Sequence, residues 1–530
     1  MRGSRVVAVS AASALALGVL YLALPATGSD LSAQVARADF FAAHGTTPVD
    51  LRWYGGVHPW GYSLVSPPLM ALLGVRLTGA LALLAAATAF AALLVRAGVP
   101  RPLPGSLVGV LTIAGNLVSG RVTYALGVAF GLAALLALTL PAHAPPGRRW
   151  LRPALVAAGA LLASATSPVA GLFVGLAGVA LLLTRRYVDG LLLGAAAALP
   201  LGVTGLLFGE GGWMNISRTD ALHAVVTSLL VAALVSYRPV RVGALLSAAG
   251  VLAAAVAHTP VGLNATRLVV MFALPVLAAA ARLPLLAARL PGRVDPPRRR
   301  VVGAVALAVL LGAVCWWQPP VVAADLRSAG DPTSERAYFD PLRAELARRG
   351  LTGRVEVPPT RNYWEAAHLG ETPLARGWLR QADIARNPLF FTTVPGATGT
   401  GVPLTAESYR AWLTDNAVQF VAVPDTELSW VGRAEAELVT AGLPYLTEVW
   451  SDRRWRLYAV TDPTPLVGAP GELVRQDGAS VTFRTSGAAT VPVRVRHDRW
   501  LAVSGGATTA ADGEWTTVTV PHAGTYTLGG

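Results

Sequence analysis

The chain contains no lysine, so its entire basic complement of 43 residues is arginine. Alanine, glycine, valine and leucine dominate beside it, a pattern that fits the coding bias of a GC-rich bacterial genome. Charge of either sign is scarce, at 14% of 530 residues, against 53% hydrophobic residues. So little charge over so long a chain excludes an ordinary soluble enzyme and indicates a polytopic membrane protein with soluble parts. Cysteine is almost absent: Cys315 stands alone, in an apolar run beside Trp316 and Trp317, which excludes a disulfide framework and a thiolate metal cluster. The formal charge of +13 would ordinarily raise the question of nucleic acid. Here the arginines sit at the ends of apolar runs, where they orient helices, and no nucleic-acid partner is expected. No repeat relates the two halves of the apolar region, and the one biased segment is "PGRVDPPRRR".

What is present is a series of apolar runs. A helix needs about 20 mostly apolar residues to cross a bilayer, and such runs fall near 6–25, 72–95, 104–119, 122–140, 153–166, 168–184, 189–208, 221–236, 242–257, 267–289 and 301–318. They predict about 11 transmembrane helices. The first exceeds the apolar stretch of a signal peptide and is read as an uncleaved helix. With the N-terminus cytoplasmic, the inner loops hold Arg96 and Arg101, then Arg148, Arg149 and Arg152, then Arg185 and Arg186, then Arg238 and Arg241, then Arg282, Arg289, Arg293 and Arg298 to Arg300. Every dense cluster then falls on one side, as the positive-inside rule requires. The expectation is a multi-pass protein of the cell membrane whose first loop and C-terminal region are extracytoplasmic.

The tail changes character near residue 320. "DPTSERAYFDPLRAELARRGLTGRVEVPP" places Phe339, Leu342 and Leu346 on one helical face and then continues as a strand. "VQFVAVPD" and "RRWRLYAVTD" are strand-like and "GRAEAELVTAGL" is helical, so residues 320–462 predict a small α/β domain. Beyond it, "ASVTFRT", "VPVRVRHD" and "EWTTVTVP" alternate between Gly-rich turns. Residues 463–530 therefore predict a small β-sandwich-like domain. Residues 1–319 form the transmembrane domain, interrupted by a long first outer loop over 30–68.

That loop is the most decorated part of the chain. It opens "SDLSAQVARADFFAAHG", where helical spacing puts Asp30, Gln34, Arg37, Phe41 and His44 on one face and Leu31, Val35, Ala38 and Ala42 on another. The pattern suits an amphipathic helix lying along the outer membrane surface. Next comes "DLRWYGGVHPWGYSLVSPPL", in which Trp53, Tyr54, His58, Trp60 and Tyr62 alternate with glycine and proline. Such rings offer flat faces to a sugar or anchors to the lipid headgroup zone.

An Asp just after the first helix, a surface helix, an aromatic loop closing in "PPL", many further spans and an extracytoplasmic tail resemble the GT-C class of integral-membrane glycosyltransferases. Oligosaccharyltransferase catalytic subunits, protein mannosyltransferases and actinobacterial arabinofuranosyltransferases belong to that class. In the tail, "RVEVPPTRNYWEAAHL", "LARGWLRQADIARNPLFF" and "YRAWLTDNAVQFVAVPD" are similar to a group of actinobacterial membrane proteins of this architecture. The chain lacks the adjacent acidic pair and the DxD triplet of better-studied members.

The resemblance implies transfer of a sugar, with inversion, from a polyprenyl-phosphate donor to a cell-envelope glycan or glycoprotein acceptor. A carboxylate must take the acceptor's proton and cations must stabilise the leaving phosphate. Asp30 is the expected base, with Asp39 and Asp50 as substitutes; its alternative role is to cap the following helix. Arg76, Arg121, Arg218 and Arg267 lie outside the positive-inside pattern and are the expected phosphate ligands, or else they snorkel to the interface. Trp53, Tyr54, His58, Trp60 and Tyr62, with Arg376, Trp378 and Arg380, are the expected sugar or acceptor contacts; the last three could instead form a junction between tail and membrane domain. The resemblance leaves room for a divalent cation, and the residues name no ligand set for one. The rival readings are a transporter or lipid flippase, and a non-catalytic envelope scaffold derived from such an enzyme. Transporters tend to show paired repeats and intramembrane charges, and neither stands out here.

Overall fold

The structure is a computed structural model that describes residues 2–141, 149–283, 296–395 and 397–530. By its contacts the chain divides into two units. The helical one comprises Met1–Gly28, Tyr62–Leu207 and Met214–Ala329, and the other comprises Ser29–Gly61, Phe208–Trp213 and Gly330–Gly530.

Each apolar run lies on one helix of the first unit: α1 (Arg2–Ala23), α4 (Val75–Arg96), α5 (Pro102–Val118), α6 (Val122–Ala137), α7 (Leu151–Thr166), α8 (Pro168–Leu183), α9 (Tyr187–Phe208), α10 (Arg218–Leu234), α11 (Arg238–Val256), α12 (Arg267–Ala280) and α13 (Pro296–Trp317). Among the described residues, five of these segments are long and apolar enough to cross a membrane, beginning at Gly3, Val75, Tyr187, Arg238 and Gly262; several others are shorter apolar helices. Small residues let the helices approach closely. A Cβ on Gly178 would lie 2.9 Å from the backbone of Gly194, and one on Gly190 would lie 2.7 Å from the carbonyl of Gly178. The arginine-bearing helix ends are tied to one another. Arg96 donates to Thr139, Arg101 to the carbonyls of Ala278 and Ala281, and Arg152 to Asp189, which Arg186 also pairs. Arg148, Arg289, Arg293 and the side chains of Arg298 to Arg300 lie outside the described residues.

The second unit contains α2 (Leu31–His44) and the tail. Its α/β part holds a four-stranded sheet in the order β1-β2-β4-β3, with β1 (Arg354–Glu356) parallel to β2 (Val418–Pro424), and β4 (Trp455–Val460) antiparallel to both β2 and β3 (Leu446–Ser451). The helix expected from Phe339, Leu342 and Leu346 forms over Asp340–Arg349 and buries all three. The terminal part is two antiparallel sheets, β7-β10-β9 and β5-β6-β11-β8, whose apolar faces enclose Phe483, Val491, Val518, Tyr526 and Leu528. This is the sandwich that the alternation implied, with β6 (Ser480–Thr485), β7 (Ala489–Arg496) and β10 (Trp515–Val520) on the three expected strands. The short β3, β5 (Glu472–Gln476), β8 (Ala502–Val503), β9 (Thr508–Asp512) and β11 (Gly524–Gly529) had no equally clear pattern.

The decorated loop is part of this second unit. Asp50 and Val57 pair across a hairpin whose turn, Tyr54-Gly55-Gly56, has φ of 55°, 77° and 134°. The two glycines adopt these angles without a Cβ penalty. Trp53 then pairs in parallel with Leu374, which pairs with Val355 of β1, and the Leu374 amide donates to the Arg52 carbonyl at 2.7 Å. The loop thereby extends the tail's sheet on the β1 side. The division into units thus differs from the sequence-drawn domains, because ladder hydrogen bonds between residues more than 300 apart cannot be seen in composition.

Candidate functional site

Asp30 stands at the N-terminus of α2, 9% exposed, and its carboxylate makes no capping bond to the helix. The capping reading therefore has no hydrogen bond behind it. Around it, Trp378 Nε1 donates to the Ser29 carbonyl at 2.7 Å, and Ser32 Oγ donates to the Asn362 carbonyl at 2.7 Å. Two turns along α2, the Arg37 guanidinium lies over the rings of Trp378 (5.3 Å) and Trp53 (5.8 Å). Arg380 donates to the Tyr363 hydroxyl at 3.4 Å and lies over Trp430 at 5.4 Å. Burial alone would lower the pKa of Arg380, yet the charges of Tyr363 and Asp30 raise it overall, so the guanidinium stays charged beside Asp30. Tyr363 holds a left-handed backbone, φ 58°, a costly conformation for a ring-bearing residue that clusters at functional sites.

These residues form a carboxylate set among two arginines and aromatic rings. The Arg380 charge that reaches Asp30 suits an anionic or hydroxyl-rich ligand and disfavours a divalent cation at that carboxylate. Of this set, Asp30, Trp378 and Arg380 were expected. Tyr363 was not, although it lies within "RNYWEAAHL"; neither was Trp430, for which the sequence carries no signal.

The helix α2 is not a surface-lying amphipathic helix. Leu31, Ser32, Ala33, Ala36 and Phe40 are buried, and so are Gln34 and Arg37 of the polar face. Asp39 is exposed. Asp50 is a buried ion-pair partner rather than a solvated carboxylate: its two oxygens accept the amide, Nε and Nη2 of Arg52 at 3.0, 3.0 and 2.7 Å. An acid so fully occupied is a poor base.

The aromatic stretch is not one platform. Trp53 and Tyr54 are each 1% exposed; Trp53 Nε1 donates to the Ala366 carbonyl and Tyr54 Oη donates to that of Gly377 at 2.6 Å. Their rings fill the join between loop and sheet, which leaves no face for a sugar. Trp60 is half-buried, donating to the Thr46 carbonyl and edge-on to Phe41, and Tyr62 belongs to the helical unit. His58 lies between two carboxylates. Its Nε2 is 2.9 Å from Asp498 Oδ2 and its Nδ1 is 3.2 Å from Glu210 Oε1, and Glu210 also accepts the His58 amide and Arg386. Burial acts to lower the His58 pKa, but the two carboxylates outweigh it and raise the value above 6.5.

Arg376 is neither an acceptor edge nor a junction with the membrane domain. It is 3% exposed in the α/β core, forking onto Asp383 at 3.1 and 3.0 Å, donating to Glu435 at 2.9 Å and standing 3.5 Å from Glu356. Burial raises Glu435 to about 7 against the opposing charge of Arg376, and burial with the like charge of Glu435 holds Glu356 well above the usual carboxylate range.

In the helical unit the four expected arginines separate. Arg76 donates to the carbonyls of Tyr21 and Leu24 and lies over the Tyr21 ring at 4.9 Å, closing the end of α1. Arg218 is exposed at the start of α10. Arg267 lies 5.4 Å from the Tyr124 ring, and the charge of Arg121 also reaches that hydroxyl. Tyr124 is on the wall of an apolar cavity of about 570 Å³ lined by Phe90, Phe173, Leu268 and Phe272 among others.

No protein-family model matches this chain, and no curated protein matches it in sequence. Among solved structures it is similar to the arabinofuranosyltransferase AftD from Mycobacteria, at 19% identity and a TM-score of 0.46 over 90% of this chain. It is also similar to ArnT from Cupriavidus metallidurans in the apo state, at 14% identity and a TM-score of 0.47 over 87% of this chain and 98% of that one. The chain spans 40% of the length of AftD. The structural neighbours of this chain include an arabinofuranosyltransferase.

Proposed function

We propose that this protein is an integral-membrane glycosyltransferase that moves a sugar from a polyprenyl-phosphate donor to an extracytoplasmic cell-envelope acceptor, with inversion. The observation that carries the reading is Asp30: a buried carboxylate at a helix start, making no cap, within reach of the Arg380 charge, with Trp378 bonded to the carbonyl of the preceding Ser29. In the reaction the acceptor oxygen attacks the anomeric carbon, its proton passes to Asp30, and the bond from that carbon to the phosphate oxygen breaks. Trp378 and Tyr363 supply the stacking face and the hydroxyl that a sugar ring needs. In the helical unit, Arg121 and Arg267 take the donor phosphate, and the apolar cavity walled by Tyr124 takes part of the prenyl chain. The arginine-bearing ends are cytoplasmic, and the second unit is outside.

The test is radiolabelled sugar transfer from polyprenyl-phosphate donors in vesicles bearing the native protein or Asp30→Asn. Transfer that requires Asp30 supports the reading. Equal transfer by the variant removes Asp30 as base, and consumption of no donor in a broad panel favours the scaffold.

A further inference from the structure

The second unit gathers a donor set that the proposed transfer does not use. His44 ends α2, Glu371 lies in the turn after the short helix Glu365–His368, and Asp477 lies in the β5–β6 hairpin of the sandwich. One ligand atom from each lies within 4.8 Å of the other two. A metal ion bonded to nitrogen and oxygen at about 2.0–2.2 Å holds its donors at such separations. An imidazole and two carboxylates, contributed by three segments far apart in sequence, are the donor types that bind first-row divalent ions.

Each group is oriented by its surroundings. The His44 ring packs on Phe40 at 4.9 Å. Glu371 Oε2 accepts the Gly478 amide at 2.6 Å, and His44 Nε2 is 2.9 Å from the same oxygen. Asp477 Oδ1 accepts the amides of Ala479 and Ser480 at 2.9 Å each, and its Oδ2 accepts Arg475 at 2.7 Å and the Ser480 hydroxyl at 3.1 Å. Such supporting bonds are what metal ligands require of their neighbours. The side chains of His44 and Asp477 are 16% and 15% exposed, while Glu371 is 48% exposed and Arg475 72%. The site is therefore open to solvent on one side, and its competing cation is free to swing away.

We propose that His44, Glu371 and Asp477 bind a divalent transition-metal ion, Zn²⁺ by donor chemistry, that staples the first-loop helix to the α/β part and to the sandwich. Binding breaks the contact between His44 Nε2 and Glu371, adds the metal at Nε2 of the neutral imidazole, whose proton is then on Nδ1, and at one oxygen of each carboxylate, and releases Arg475 from Asp477. The site is separate from the Asp30 cluster and does not depend on the transferase reading.

The experiment uses full-length protein in detergent, without a histidine tag and stripped with EDTA. Titration with Zn²⁺, Mn²⁺ or Ca²⁺ is followed by calorimetry and by thermal melting. The expected result is one equivalent of Zn²⁺ bound and a melting point raised by a few degrees. At least tenfold weaker binding is expected in His44→Ala and Asp477→Asn, and tighter binding in Arg475→Ala. The Arg475 variant removes no ligand, so it keeps the test decisive if the others fold poorly. No saturable Zn²⁺ binding, unchanged binding in all three variants, or stabilisation by Ca²⁺ alone would overturn the assignment.

Discussion

Trp53 in the first loop and Leu374 in the tail are paired as neighbouring parallel strands, although 321 residues separate them. The Gly377 backbone runs directly against the Trp53 ring, with a Cβ at Gly377 falling 2.5 Å from Trp53 Cγ. A side chain there must push either ring or strand aside. Gly377→Ala is expected to destabilise the second unit by about 1–3 kcal/mol, and Trp53→Ala by about 3–5 kcal/mol. Limited proteolysis and thermal melting of the purified protein check both. Wild-type resistance in Gly377→Ala would mean that the loop does not pair with the tail in solution.

Asp30 separates chemistry from folding. Because it makes no capping bond, Asp30→Asn is expected to cost less than the about 1 kcal/mol that follows loss of a helix cap. Its sugar transfer should fall by at least about 100-fold. An unchanged melting curve with lost transfer fits a base, whereas a lowered melting point with retained transfer fits a cap.

The phosphate assignment divides Arg121 and Arg267 from Arg218. Arg267→Ala and Arg121→Ala should raise the KM for the polyprenyl-phosphate donor roughly tenfold or more, the loss of about 1.5–3 kcal/mol for a hydrogen bond to a charged group. Arg218, exposed at the start of α10, serves as the control whose replacement by alanine leaves KM unchanged. Equal effects from all three would indicate general membrane electrostatics.

His58 gives a pH dependence of stability with a defined sign. Its folded pKa is raised above 6.5, chiefly by Glu210 and Asp498 acting against burial, and that of Glu210 is lowered below 4.5 by His58 and Arg386 despite burial. The histidine contribution is full below 6.5 and is lost as pH rises through the raised folded value. The Glu210 contribution is present above 4.5 and is lost as pH falls through its lowered folded value. Melting temperature should therefore decline as pH rises from 6.5 through the raised folded value of His58 in the native protein, and His58→Gln should flatten that part of the curve. A native profile without this decline would show that the pair is not charged in solution.

Arg376 is expected to behave as a core residue. Arg376→Met leaves Asp383, Glu435 and Glu356 without their cation and should cost about 3–5 kcal/mol, seen as loss of the cooperative melting transition of the tail. A folded variant with only a raised KM for acceptor would restore the contact role expected from its sequence neighbourhood.

Apolar length, helical and strand periodicity and arginine placement are properties of local sequence. They determined where the helices of the first unit lie, that the tail is an α/β part followed by two-faced strands, and that Asp30 opens the first loop. Even the Tyr54-Gly55-Gly56 turn is legible, since glycine is the residue that accepts such angles. Local sequence could not show which surface each aromatic or arginine faces. Trp53 read as a sugar contact or lipid anchor, and Arg376 as an acceptor contact or a junction, because tryptophan and arginine suit both glycan surfaces and buried joins. Only the pairing of residue 53 with 374, and of Arg376 with acids from three segments, decided between them. Long-range hydrogen bonds and desolvated charges depend on chain segments brought together by folding. Tertiary structure alone therefore gathered Asp30 with Arg380 and Tyr363, and His44 with Glu371 and Asp477.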